Sequence, residues 1–330
     1  MQTAIGRAGA GAGAMIAAAV LCSGIASGVQ AQSFPVKPVR FIVPFPPGGT
    51  VDPLARLIGA KLNAALGQQF IVDNRTGGSG IIGTDIAAKA NPDGYTYVFV
   101  FDTHAVNPSL MPNLPFDTLK DLAPVMLVGR APYGIITHPA KPYKTMTDVV
   151  KVARAKPDTV TYGTVGAGSL GHLALTLAGQ AGGFKMVHVP YKGGGPMTVA
   201  VMGGQIDLGI GSTALVTPFV NDGRVRVLAT TGDTRAATLP NVPTLIEEGY
   251  KGVTAYAWWG IFTTARTPPA ILKKFHGEVV KVLNQPDVRR HLGEQLGMEL
   301  LVSSPEELQK WTAVEIERWG RVIRDNNIKP

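Results

Sequence analysis

Apolar residues in this chain come in short continuous runs, each followed by a glycine-rich turn and then by apolar positions at helical spacing. Val39 to Val43 is apolar enough to predict a strand buried on both faces. Phe45-Pro46-Pro47-Gly48-Gly49 is a turn. The following helix is predicted with Asp52 as N-cap and Pro53 at its first position. Leu54, Leu57, Ile58 and Leu62 share one face, and Gly67 is the stop. Phe70 to Val72 is the next strand, Gly77 to Gly80 a second glycine turn, and a helix continues to about Ala90. Asn91-Pro92-Asp93-Gly94 is a turn before the β-prone run Tyr95 to Phe101.

The pattern recurs further on. Val160 to Val165 predicts a strand, Gly166 to Gly168 a turn, and Ser169 to about Gln180 a helix. Met186 to Val189 and Ile206 to Ile210 are strands flanking a helix that starts at Pro196, after the turn Gly193 to Gly195. Val225 to Thr230 is a further strand. Strand, turn and helix in repetition predict an α/β fold of two lobes, each a mainly parallel sheet flanked by helices. The extended stretch Ala123 to Thr137 carries the chain across, and Gly252 to Phe262 carries it back. Pro268-Pro269 opens a late helix, and Ser304-Pro305-Glu306-Glu307 caps another ending near Asn326. Lobe one therefore takes residues 32–135 and 253–330, and lobe two takes 136–252.

Residues 1–31 stand outside this pattern. Arg7, the apolar run Ala14 to Leu21 and the small-residue site Val29-Gln30-Ala31 read as a signal peptide, which places the mature protein in the periplasm. Cys22 is the sole cysteine and leaves with that leader, so no disulfide, thiol nucleophile or cysteine metal site is expected. The net charge is +8, but the basic residues are scattered, which argues against nucleic acid and for a general attraction of anions.

The turns carry the candidate chemistry. Each exposes backbone N–H groups at a helix start, where the first donors lack partners and the helix dipole is positive, so an anion can be held without a charged side chain. Gly48-Gly49, Ser79-Gly80 and Gly168-Ser169 qualify. Two rival readings attach to Gly166-Ala167-Gly168-Ser169-Leu170-Gly171. It fits a dinucleotide fingerprint, but the acidic residue expected about 20 positions on is missing. It also resembles a nucleophile elbow, which would make Ser169 the nucleophile of a secreted serine hydrolase with His172, His188, His276 or His291 as base. Asp102, His104 and His138 lack metal-ligand spacing. Tyr256, Trp258 and Trp259 are read as core or hinge packing, with a ligand-stacking wall as the alternative.

Taken together, several segments resemble the periplasmic solute receptors of the tripartite tricarboxylate transporter family, the Bug receptors. They are Val43 to Gly49 with Asp52 and Arg56, Asn74-Arg75 with Gly80 to Gly83, and Asn91 to Tyr95. Thr103-His104-Ala105 with Asn107-Pro108, Gly168-Ser169 with His172, Val189 to Gly193, Gly203 to Asp207, and Leu239-Pro240 with Val242 to Thr244 complete the set. The resemblance implies a two-lobed Venus flytrap that holds a small carboxylate and does no chemistry. It implies no cofactor, and a membrane permease with a large and a small subunit as partner. The chain is expected to be a monomer. A binding protein feeding a sensor kinase is the alternative within that class. The implied ligand contacts are Phe45, Pro47, Gly48, Gly49, Ser79, Gly80, Thr103 and His104 from lobe one. Lobe two would supply Gly168, Ser169, Leu170, Ser212 and Thr213. Asp102 departs from the family, which often has small or hydroxyl residues there. Facing the cleft, it would oppose a second ligand carboxylate or favour a ligand nitrogen.

Overall fold

The computed structural model describes residues 34–328, so the expected signal peptide lies outside the described residues. By contacts the chain divides after Val36, and the body that begins at Lys37 carries every helix and strand described below.

The first strands are β1 (Val39–Val43), β2 (Phe70–Asn74) and β3 (Thr96–Phe101), with α1 (Val51–Leu66) and α2 (Ile81–Ala88) as the crossovers. They pair in parallel in the order β2-β1-β3. Their apolar runs are buried on both faces: Phe41, Val98 and Phe99 are all core. α1 starts at Val51 behind Thr50, so Asp52 is not the N-cap and Pro53 is not the first helical residue. Asp52 is instead buried in the first turn, where it accepts hydrogen bonds from Arg56 (3.0 Å) and Asn74 (2.9 Å). α3 (Thr103–Leu110) follows β3 directly and encloses Pro108.

The chain then enters β4, sixteen residues from Leu122 to Thr137. At about 3.3 Å per residue that strand is roughly 50 Å long and can serve two sheets. Its first part, Leu122 to Pro132, pairs antiparallel with β9 (Tyr256–Thr264), and β9 in turn pairs antiparallel with β3. Its second part, Tyr133 to Thr137, pairs antiparallel with β7 (Leu208–Ser212) and β8 (Arg226–Thr230). The second lobe adds α4 (Met146–Ala155), β5 (Thr161–Thr164), α5 (Leu170–Gly182), β6 (Val187–Pro190), α6 (Gly194–Met202) and α7 (Thr213–Asn221). Here β7-β5-β6 is again a parallel trio. Each sheet is therefore mixed: a parallel trio joined to antiparallel strands where the chain crosses.

Of the later helices, α8 (Pro269–Leu283) and α10 (Pro305–Asp325) lie on either side of the short α9 (Pro286–Arg289), and β10 (Glu299–Leu300) pairs with β4. Phe275 of α8 stacks on Tyr97 of β3 with ring centroids 3.7 Å apart. α10 lies against α3, where Gly320 leaves room for Ser109. Both helices thus pack on the β2-β1-β3 side. In the other lobe a separate core gathers Ile136, Met197, Val201, Val216 and Val227.

Candidate functional site

The turns that follow β1 and β2, with the end of α3, face those that follow β5 and β6, and the two sets touch. Gly195, in the first turn of α6, would place a Cβ 2.9 Å from the carbonyl of Gly48. A Cβ on Gly168 would strike Leu110 of α3, and one on Gly193 would meet Pro46 at 3.2 Å. Ser79 Oγ donates a hydrogen bond to the carbonyl of Ala167 at 3.0 Å, directly from one lobe to the other. The lobes are closed on each other.

On the first-lobe face, a chain of contacts fixes the turn Pro44 to Thr50. Asn74 Nδ2 donates to the carbonyl of Phe45 at 3.0 Å while also donating to Asp52, so the end of β2 ties the turn to α1. The Phe45 ring meets Phe101 edge-on (6.0 Å, 78°), and Phe101 packs on Trp259 (5.6 Å). Trp259 Nε1 donates to Thr50 Oγ1 at 2.9 Å. Trp259 thus works as packing beneath the site. Ser79 holds a left-handed φ of 52°, which turns its hydroxyl across the seam, and Asn107 Nδ2 braces its carbonyl at 3.2 Å.

On the second-lobe face, hydroxyls cap the helix starts. Ser169 Oγ accepts from His172 N–H (3.4 Å), and Ser212 Oγ accepts from Leu215 N–H (3.3 Å). The His172 side chain accepts the Gly168 N–H at its Nδ1 (3.2 Å). Its ring stacks on His188 at 3.9 Å and 10°. Burial pulls both imidazoles down to about 4, His172 also lowering His188. They are neutral at pH 7. Ser169 is fully buried and no imidazole bonds its hydroxyl among the described residues, so the nucleophile-elbow reading has no triad here.

Three cavities follow the seam. The central one is about 20 Å³, lined by Phe45, Gly49, Thr50, Phe101, Gly193 and Ser212 among others. Beside it lie one of about 190 Å³, lined by Phe45, Ser79, Gly80, Gly166 and Lys192, and one of about 250 Å³, which includes Gly48, Gly49 and Leu215. The central cavity is where α1, α6 and α7 all begin, so the N–H-rich ends of three helices from both lobes converge on it. No Lys or Arg lines it. A cavity of about 660 Å³ lies elsewhere, between α4 and α5 of the second lobe, lined by Arg154, Tyr162, Leu175 and Phe184 among others, and no helix start converges on it.

The expected contacts divide accordingly. Phe45, Gly48, Gly49, Ser79, Gly80 and Ser212 line the seam cavities. Gly168, Ser169, Leu170 and Thr213 are in the helix starts of the second lobe, and Thr213 Oγ1 is buried with no hydrogen-bond partner among the described residues. Pro47 is exposed and lines none of the three. Thr103 is buried and also lines none of them. His104 turns its ring between Phe262 (4.9 Å) and Phe116 (6.4 Å) within the first lobe; burial lowers it to about 3, and its Nε2 has no hydrogen-bond partner among the described residues.

Asp102 faces neither solvent nor an open groove. It is fully buried and accepts a hydrogen bond from Tyr133 Oη on β4. The N–H groups of Leu170, at the start of α5, and of Thr103, at the start of α3, lie close enough to favour its charge. Burial outweighs these and raises the carboxyl to about 8, and Glu315 of α10 adds to the rise. Sequence reasoning missed Tyr133, and it quoted Asn74 and Asn107 as motif residues without a structural role, because those roles depend on which strands meet. Among the described residues no group of three or more His, Cys, Asp or Glu could hold a metal, and no helix is long and apolar enough to cross a membrane.

Known proteins share this architecture along nearly its whole length. BugT of Bordetella pertussis is 33% identical over 318 residues, covering 96% of this chain and 97% of BugT. The Rhodopseudomonas palustris protein Rpa4515, solved with adipate, superposes with a TM-score of 0.86 at 32% identity, covering 90% of this chain and 99% of its own. The R. palustris protein MatC, solved with bound malate, gives 0.82 at 30% identity, with 88% and 100% covered. Residues 54–328 match the tripartite tricarboxylate transporter family receptor. With that match added to the two closed lobes and their converging helix starts, the chain belongs to the tripartite tricarboxylate transporter receptor family.

Proposed function

We propose that this chain captures a small organic acid between its lobes outside the cytoplasmic membrane and delivers it to a membrane permease with a large and a small subunit. The observation that carries this reading is the convergence of three helix starts on one chamber with no cationic side chain. Such a chamber holds a carboxylate through N–H donors and dipoles. The structural relatives solved with adipate and malate support a carboxylate as the ligand class. At about 20 Å³ the central cavity has room for roughly one water. An organic acid therefore needs the lobes to part, and β4 and β9 are the segments that must flex. We take 32–135 with 253–330 as one moving body and 136–252 as the other, residues 1–31 as the removed leader, and the working unit as a monomer without cofactor.

A thermal-shift and calorimetric screen of mono-, di- and aromatic carboxylates tests this. An acid at about 100 times its dissociation constant should stabilise the protein by about 2.7 kcal/mol, a rise of several degrees at roughly 2–4 °C per kcal/mol. NADP, ATP and divalent metals should give none. Ser169→Ala removes one helix-cap hydroxyl and should weaken binding no more than about tenfold. Ester turnover abolished by that variant would replace the receptor reading with a hydrolase.

A further inference from the structure

The central chamber has two neighbours along the seam, and they differ in chemistry. The cavity of about 190 Å³ shares Phe45 and Val165 with the chamber and is lined also by Ser79 and Lys192. The cavity of about 250 Å³ shares Gly49, Thr50 and Leu215 with it. To this second cavity α1 adds Leu54 and Leu57, α7 adds Phe219, and the segment after α9 adds Leu292 and Leu296. No Lys, Arg, Asp or Glu lines it. His291 at its edge is exposed, and its Nδ1 is bonded to Gln295 Oε1 at 2.8 Å. The Thr50 hydroxyl accepts from Trp259 Nε1.

This lining follows from the two helices. Both α1 and α7 begin at the chamber. Leu54 and Leu57 are three apart, and Leu215 and Phe219 four apart, so each pair shares one helix face. Each helix thus offers N–H groups at its end and an apolar stripe just beyond. From Val51 to Leu57 the axis of α1 advances roughly 9 Å at 1.5 Å per residue.

We propose that the cavity of about 250 Å³ is a tail subsite, so that the receptor selects monocarboxylic acids with an aliphatic tail over dicarboxylates of equal length. This rests on reading the cleft as a carboxylate receptor site. The carboxylate lies at the helix starts, and the tail runs between the apolar faces of α1 and α7. A second carboxylate there would lose its water with no Lys or Arg among the lining residues, which is costly. Each methylene gains by leaving water. Lys192 does not redirect the acid to the other cavity, because it is exposed and water screens its charge.

The test is calorimetry on the full mature chain with butanoate, hexanoate and octanoate, each beside the dicarboxylate of equal length: succinate, adipate and suberate. Affinity for the monocarboxylates should rise about fourfold per added methylene, the 0.8 kcal/mol of one buried CH₂. Octanoate should bind at least tenfold more tightly than suberate. It should also bind at least tenfold more tightly than 1-octanol, which has the tail without the carboxylate. Leu57→Trp places a bulkier group on the half-buried wall and should cut the octanoate-to-butanoate affinity ratio at least tenfold. Affinity that is flat with chain length, a dicarboxylate binding as tightly as its monocarboxylate, 1-octanol matching octanoate, or an unchanged ratio in a folded Leu57→Trp variant would overturn the tail subsite and leave the receptor reading intact. Saturable binding by no acid of either kind would overturn both. The wild-type series decides the question even if the variant does not fold.

Discussion

The two faces of the cleft solve one problem with different chemistry. Around the central cavity the second-lobe face is uncharged, Lys192 lining only the neighbouring one: Ser169 and Ser212 cap their own helices, and His172 and His188 are stacked and neutral. The first-lobe face has an aromatic bed of Phe45, Phe101 and Trp259 with one buried carboxyl, Asp102, which does not cap its own helix but reaches across to Tyr133 and α5. The second face caps its helix starts locally, with Thr213 Oγ1 left unpartnered among the described residues, whereas the first depends on what meets it. The closed state should therefore be vulnerable to changes at the contact, and the first lobe should bear the cost of its charge alone.

The largest effect should come from preventing the faces from meeting. Gly195 does not lie in the left-handed region, and what a Cβ there would meet is the Gly48 backbone across the seam. Gly195→Val should weaken binding of the best screened acid by at least about a hundredfold, roughly 2.7 kcal/mol. The ligand-free melting midpoint should stay near wild type. Undiminished affinity would mean that the ligand-bound lobes do not close this far.

Next in size is the cost of Asp102. Its folded value, about 8, is above the ordinary carboxyl value of 3.8. The folded state binds the extra proton, so the stability this group contributes is fully present below 3.8 and is lost as pH rises through 8. Asp102→Asn removes that loss. The variant should melt several degrees above wild type at pH 8 and gain less at pH 5. A gain independent of pH would place the effect in packing instead of ionisation.

The second face should show the opposite slope. His172 and His188 titrate near 4 in the folded protein against 6.5 unfolded. Unfolding takes up protons between those values, so their contribution is present above 6.5 and is lost as pH falls toward 4. Protonation of His172 also removes the acceptor of the Gly168 N–H. The double variant His172→Gln, His188→Gln should flatten the fall in melting point between pH 6.5 and 4 by a few degrees; an unchanged curve would exclude the stack as its source. Smallest of all, Ser79→Ala removes one hydroxyl bridge between the lobes, worth about 1 kcal/mol. Calorimetry should show affinity falling about fivefold; a loss as large as that of Gly195→Val would mean that Ser79 touches the ligand itself.

Much of this protein was legible in the residues. The apolar runs of β1, β3 and β7, the glycine turns after β1, β2, β5 and β6 and the capping pattern at Ser304 all encode local rules, since buried strands, positive-φ turns and helix caps each depend on near neighbours. The motif segments carried the family. Where local signals conflict, the reading failed. α3 and α7 enclose Pro108 and Pro218, which argue against a helix, and tertiary packing overrides them. The N-cap of α1 moved by two residues because the Asp52 carboxylate is held by Asn74, twenty-two positions away.

The pairing of distant groups was decided only by the tertiary structure. The sequence places Asp102 after a strand and Tyr133 in an extended stretch, but says nothing of their meeting. That meeting requires β9 to run between β3 and β4, and the second lobe to bring α5 down on α3. The same holds for the chamber. Each helix start is written in its own turn, but an anion site built from several of them exists only where long-range strand order sets those turns face to face. A charge buried at that seam takes its meaning from atoms contributed by both lobes.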